Sequence, residues 1–138
     1  MIRRPMVLAA GVFDLLHAGH VAYLESARSM GAMLVVGVNS DASARKLGKG
    51  QVRPINRAAD RASVIRALRC VDAVVVFDET TPEQLILALK PEIFAKGGDY
   101  RAEELPEAPA VHSYGGMVAI IPRVADYSTT QIVSVIRG

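Results

Sequence analysis

The residues best placed to do chemistry lie together between positions 11 and 20, which read Gly-Val-Phe-Asp-Leu-Leu-His-Ala-Gly-His. The apolar run Met6-Val7-Leu8-Ala9-Ala10 precedes them, and Val21, Ala22, Leu24 and Ala27 after them follow helical spacing. The stretch is therefore predicted to carry the chain from a first strand into a first helix. The open N–H groups and the positive dipole end of a helix start favour an anion, a phosphate above all. Gly11 lets a ligand approach the backbone closely. His17 and His20 sit on the first turn with no side chain at Gly19 to obstruct them, so both can donate to one bound anion. Metal ligation is the competing chemistry, with His17, His20 and His112 as the donor set. It is the lesser reading, because no cysteine or carboxylate stands at ligand spacing nearby.

Three further groups suit a nucleotide. Lys46, Lys49 and Arg53 lie in a glycine-flanked basic loop that could close over phosphates, or could be a solvated surface loop. Gly97-Gly98-Asp99 leaves room for a flat base or ribose, with Asp99 as an acceptor for hydroxyl or amino groups. A tight turn with a local Asp hydrogen bond explains the same residues equally well. Ser128-Thr129-Thr130 can hold phosphate oxygens at a helix start or serve as a simple cap.

These groups need elements to position them. Apolar runs predict strands at 7–10, 33–38, 73–77, 92–96 and 117–121. Helical spacing predicts helices at 18–30 with Gly31 as a stop, at 41–45 after the capping residues Asn39-Ser40-Asp41, and at 57–69 capped by Asn56. Thr81-Pro82-Glu83-Gln84 and Ser128-Thr129-Thr130-Gln131 read as capping boxes, the first opening a helix to 89 and the second a last helix through Ile132, Val133, Val135 and Ile136. Residues 101–114 read as irregular helix and loop. Strands alternating with helices imply a Rossmann-like three-layer α/β/α fold around a five-stranded parallel sheet. Ligands of such sheets bind beyond the carboxyl ends of the strands, where the strand order reverses. Each polar group above lies at such an end.

Composition narrows the reading further. A chain of 138 residues, 51% hydrophobic and 22% charged, suits a single domain over 1–138 with a substantial core. A net charge of +2 argues against a broad nucleic-acid footprint. Cys70 stands alone, so no disulfide framework is expected and a reducing compartment is implied. Arg3 and Arg4 before an apolar run mimic a signal peptide, but Asp14 and His17 break that run. No stretch is long enough to span a membrane, so the expected location is cytoplasmic.

The pattern Gly-x-Phe-Asp-x-x-His-x-Gly-His closely resembles the signature of the cytidylyltransferase-like nucleotidyltransferases. Gly37-Val38-Asn39-Ser40-Asp41, Arg53-Pro54-Ile55-Asn56, Asp60-Arg61, Lys96-Gly97-Gly98-Asp99-Tyr100 and Ser128-Thr129-Thr130 follow in order. Together they resemble the adenylyltransferases that activate heptose 1-phosphate for ADP-heptose synthesis in lipopolysaccharide assembly. The resemblance covers nearly the whole chain. It implies transfer from ATP to D-glycero-D-manno-heptose 1-phosphate, with pyrophosphate released. It implies catalytic roles for His17, His20 and Lys46. Nucleotide contacts are implied at Gly11, Val12, Phe13, Arg61, Gly97, Asp99, Arg123, Ser128, Thr129 and Thr130. Acceptor contacts are implied at Asp14, Asn39 and Arg53. Mg²⁺ would arrive with ATP and be held mainly by the phosphates, with any protein ligands unassigned. A separate heptose kinase is implied, since relatives often fuse this activity behind one, and the oligomeric state is left open.

The acceptor phosphate has a second pKa of about 6 and arrives ionised, so no general base is needed. The histidines would act as neutral donors, held neutral by the helix dipole, while Lys46, Arg61 and Arg123 supply charge. Asp14 either orients substrate or bonds backbone N–H groups. Two alternatives remain: a cytidylyltransferase for a polyol phosphate, which shares the first pattern, and a nucleotide-binding module without catalysis.

Overall fold

The computed structural model describes residues 1–47 and 54–122. Five strands, β1 (Met6–Gly11), β2 (Met33–Asn39), β3 (Ala73–Phe77), β4 (Ile93–Gly97) and β5 (Met117–Ile121), form one sheet in the order β3-β2-β1-β4-β5. Every pairing is parallel. Among the described residues five α-helices flank it: α1 (Ala18–Arg28), α2 (Asp41–Lys46), α3 (Ala58–Arg66), α4 (Glu83–Leu89) and α5 (Ala108–His112). The chain builds outward from β1 through β2 to β3, then returns to the other side of β1 for β4 and β5. The order therefore reverses between β1 and β4, and the Gly11–His20 turn leaves the sheet at that point.

Alternation along β1 divides the core. Val7 and Ala9 point to one face, where Leu24 and Ala27 of α1 and Ile65 of α3 cover them. Met6 and Leu8 point to the other, packed with Ile86 of α4, Phe94 and Val111 of α5. β2 is buried along its whole length, as a central parallel strand must be.

Several local expectations change. Helix α1 ends at Arg28, two residues earlier than expected, with Ser29 as its C-cap. Gly31 is not the helix stop but a contact point: a Cβ there would lie 2.6 Å from the Pro5 carbonyl oxygen. Helix α3 is shorter than expected, and Arg57, not Asn56, holds its cap position without a side-chain bond. The box at Thr81 does not form, because Pro82 itself occupies the cap with φ −83 and ψ 23. Strand β4 starts at Ile93. Glu92 instead accepts from the Met6 N–H and from Arg4. Residues 101–114 resolve into a 3₁₀ turn at Ala102–Glu104 followed by α5. The expected helix after Ser128 lies outside the described residues. No helix among the described residues is long and apolar enough to cross a membrane.

Candidate active site at the strand-order reversal

His17 is the N-cap of α1, in extended geometry, and its ring is part of the helix start. Its Nδ1 accepts from the N–H groups of Gly19 at 3.1 Å and His20 at 3.4 Å. The Nδ1 of His20 in turn accepts from the His17 N–H at 3.2 Å. This reciprocal box does for two histidines what Ser and Glu do in the usual capping box. An acceptor Nδ1 requires the proton on Nε2 in a neutral imidazole, so both rings carry their N–H on Nε2. The rings stack with centroids 3.7 Å apart and planes at 20°.

Burial lowers the His17 pKa. Burial, then the neighbouring His17, lowers that of His20 to about 4. Both are neutral donors at neutral pH, and the first cause is desolvation where the sequence pointed to the helix dipole. Phe13 props the pair, its ring centroid 5.3 Å from that of His20 in an edge-on contact. Phe13 adopts a φ of 51, a left-handed conformation rare for a bulky residue. A Cβ on Gly11 would lie 3.0 Å from the Phe13 ring. Gly11 therefore makes room for Phe13, a role beyond the ligand access expected of it.

Behind this turn lies a buried polar network. Asp14 is 3% exposed, and its carboxylate accepts from the N–H groups of Ile55 at 2.9 Å and Asn56 at 3.0 Å. The Asn56 side-chain amide returns a bond to the Asp14 carbonyl at 2.9 Å. Of the two roles open to Asp14, this geometry builds the backbone-bonding one, though to a segment distant in sequence. Arg61 is 1% exposed and was expected on the triphosphate. Its donors instead go to the carbonyls of Val12 at 2.7 Å and Asn56 at 3.0 Å and to Asp41 Oδ1 at 2.8 Å. Arg61 thus ties the first turn to the segments after β2 and before α3. Asp41 also accepts from the Ala58 N–H at 2.9 Å.

At the end of β4, the space left by the two glycines is taken by the protein's own rings. A Cβ on Gly97 would meet Tyr23 at 3.1 Å, and one on Gly98 would meet Tyr100 at 2.9 Å. Gly98 has φ +122, and its N–H donates to Ile121 at 2.9 Å, so a turn conformation requires glycine there. Asp99 is exposed beside it. Asn39, 3% exposed, donates to Ser43 Oγ at 2.8 Å. Lys46 is the exposed last residue of α2. Lys49, Arg53, Arg123, Ser128, Thr129 and Thr130 lie outside the described residues.

A cavity of about 340 Å³ opens at the same strand ends, lined in part by Gly11, Asn39, Phe77, Lys96, Tyr100 and Glu107. Glu107 was missed by sequence reasoning, because one glutamate among Glu, Ala and Pro carries no spacing signal. His112 ends α5, on the opposite face of the sheet from α1. Among the described residues no three His, Cys, Asp or Glu side chains cluster as a metal site, which overturns the three-histidine alternative.

Residues 8–135 match the family model described as cytidylyltransferase-like. The chain is 52% identical over 134 residues to the D-beta-D-heptose 1-phosphate adenylyltransferase of Bordetella bronchiseptica, covering 97% of this chain and 83% of that one. It is 53% identical over 129 residues to the bifunctional protein HldE of Streptomyces coelicolor, covering 94% of this chain but 28% of that one. Among solved structures, it superposes on a lipopolysaccharide core biosynthesis protein of Thermoplasma volcanium with a TM-score of 0.71 at 32% identity, covering 89% of this chain and 98% of that one. The histidine turn thus sits in a family whose pattern spans almost the whole sequence, and the chain belongs to the cytidylyltransferase-like nucleotidyltransferases.

Proposed function

We propose that the chain, as one domain, transfers the adenylyl group of ATP to D-glycero-D-manno-heptose 1-phosphate, giving ADP-heptose and pyrophosphate. The acceptor phosphate oxygen forms a bond to the α-phosphorus as the bond to the bridging oxygen of pyrophosphate breaks. No proton has to move, because the nucleophile arrives ionised. Catalysis is therefore alignment and charge stabilisation. The observation that carries the reaction class is the stacked histidine pair, whose protons both reside on Nε2. Preorganised neutral donors of this kind suit oxygens that gain charge at the α-phosphate. The substrate assignment is supported by the 52% identical heptose 1-phosphate adenylyltransferase.

Arg61 and Asp14 act one step back, by fixing the carbonyl of Val12 and the backbone around Asp14. Lys46, Arg53, Arg123 and the hydroxyls of Ser128, Thr129 and Thr130 are assigned to the phosphates and acceptor on the resemblance. Asp14 and Asp41, the carboxylates near the turn, already bond backbone N–H groups and Arg61. That donor set fits a Mg²⁺ ion carried in by the triphosphate better than one held by the protein, and the ion would offset phosphate charge.

The test is pyrophosphate release from purified protein with ATP or CTP against a panel of sugar and polyol phosphates. ATP with heptose 1-phosphate should give the highest kcat/KM. A clear preference for CTP with a polyol phosphate would move the assignment, and no turnover with any pair would leave a binding module.

A further inference from the structure

We propose that Glu107 reads the hydroxylated end of the acceptor, and so sets which sugar phosphate is used; this rests on the function proposed above. Glu107 is one of the residues that line the cavity, and its side chain is 4% exposed with Oε1 3.9 Å from Lys96 Nζ. Its other oxygen, Oε2, is buried and accepts no hydrogen bond from the described residues. A buried carboxylate oxygen without a donor is costly, and native proteins rarely keep one unless something else donates to it. A hydroxyl in the cavity becomes such a donor when rotation of the Glu107 carboxylate turns this oxygen towards it. Lys96 already balances the carboxylate charge, so the pair suits a neutral group and not a second cation.

The cavity's position orients the ligand. Phe94, Pro82 and Leu105 in its wall belong to the α4 and α5 side of the sheet. The histidines open α1, which packs on the other side. Gly11 and Val12 line the cavity and lead straight into the histidine turn. That segment joins the cavity to the turn, so an acceptor in the cavity reaches the reaction along it. A phosphate oxygen is itself a hydrogen-bond acceptor, so the Glu107 carboxylate offers it no hydrogen bond while the neutral donors at the turn do. Its phosphate end must point to Gly11 and Val12, and its far, uncharged end to Glu107. In a heptose 1-phosphate that far end is the diol at C6 and C7. Phe94 and Leu105 give the cavity wall apolar surface, and apolar surroundings strengthen a hydrogen bond to a carboxylate.

The test compares heptose 1-phosphate with mannose 1-phosphate, which lacks C7, as acceptors for wild type, Glu107→Gln and Glu107→Ala. Wild type should favour the heptose. Glu107→Ala should cut that preference by about 10- to 100-fold, the range for one hydrogen bond to a charged group. Glu107→Gln, which keeps the shape and one acceptor oxygen, should fall between. KM for ATP should stay within about twofold, and thermal melting checks folding. A purely structural role would lower both acceptors equally, so an unchanged preference in a folded, active variant overturns the role of Glu107 alone. Wild type inactive with both acceptors would overturn the proposed function first, and this inference with it.

Discussion

His17 has two functions in this structure, capping α1 and donating from Nε2, and one pair of substitutions separates them. His17→Ala removes both. Losing an N-cap acceptor costs about 1 kcal/mol, and losing the ring stacked at 3.7 Å on His20 adds ~0.5–1 kcal/mol. For a chain of this length the sum lowers Tm by about 4–8 °C. Turnover should fall by about 10²–10³-fold, the cost of one preorganised donor. His17→Asn restores the cap, since Asn is among the best N-cap residues, so its Tm should recover about half of that loss or more. It has no donor where Nε2 lies, so its turnover should stay as low as that of the alanine variant. The assay is single-turnover pyrophosphate release at saturating ATP and heptose 1-phosphate, with melting curves on the same samples. If His17→Asn recovered both stability and turnover, the histidine would be only a cap, and the proposed chemistry at Nε2 would be wrong.

Arg61→Met should lower stability by about 3 kcal/mol, near the low end for a broken buried ion pair, because Asp41 is 35% exposed and regains water. An unfolding midpoint in urea that did not move would show that its three bonds contribute nothing net. The depressed pKa of His20 fixes a pH dependence of stability. Its value drops from 6.5 to about 4 on folding, so between those values the unfolded chain binds more protons. The stability it contributes is complete above about pH 6.5 and is lost as pH falls towards 4. Wild type should therefore lose more stability than His20→Gln between pH 7 and pH 5, and parallel curves would contradict the buried neutral state.

The strands were legible because a buried parallel strand has no polar face to interrupt its apolar run, as all seven residues of β2 illustrate. The histidine turn was legible because its residue types sit together in sequence. What escaped were the partners made between segments. Arg61 looked like a phosphate ligand because its charge is visible in sequence, while the acceptors that enclose it, at Val12, Asp41 and Asn56, come from separate segments. Asn56 looked like a cap for the same reason, yet its amide is held by the Asp14 carbonyl. At Thr81 the residue pattern of a box was present, but the backbone at Pro82 occupies the position the box requires. Glu107 had no pattern at all, and it is marked by a buried oxygen that has no partner among the described residues.

The contact chain from Gly11 through Phe13 to His20 and His17 has a consequence for how such a sequence can drift. A methyl added at Gly11 presses on Phe13, whose ring is the wall behind His20. A smaller residue at Phe13 tolerates that methyl but leaves the imidazole pair without its backing. Each single step is therefore expected to be harmful, and a second change is tolerated where it both admits the methyl and still backs the imidazole pair. Variation here should arrive in coupled pairs, whereas the apolar residues of β1 just before it can exchange one at a time among side chains of similar volume. The reactive turn is thus expected to change in coordinated steps, and the strand that delivers it one residue at a time within its packed volume.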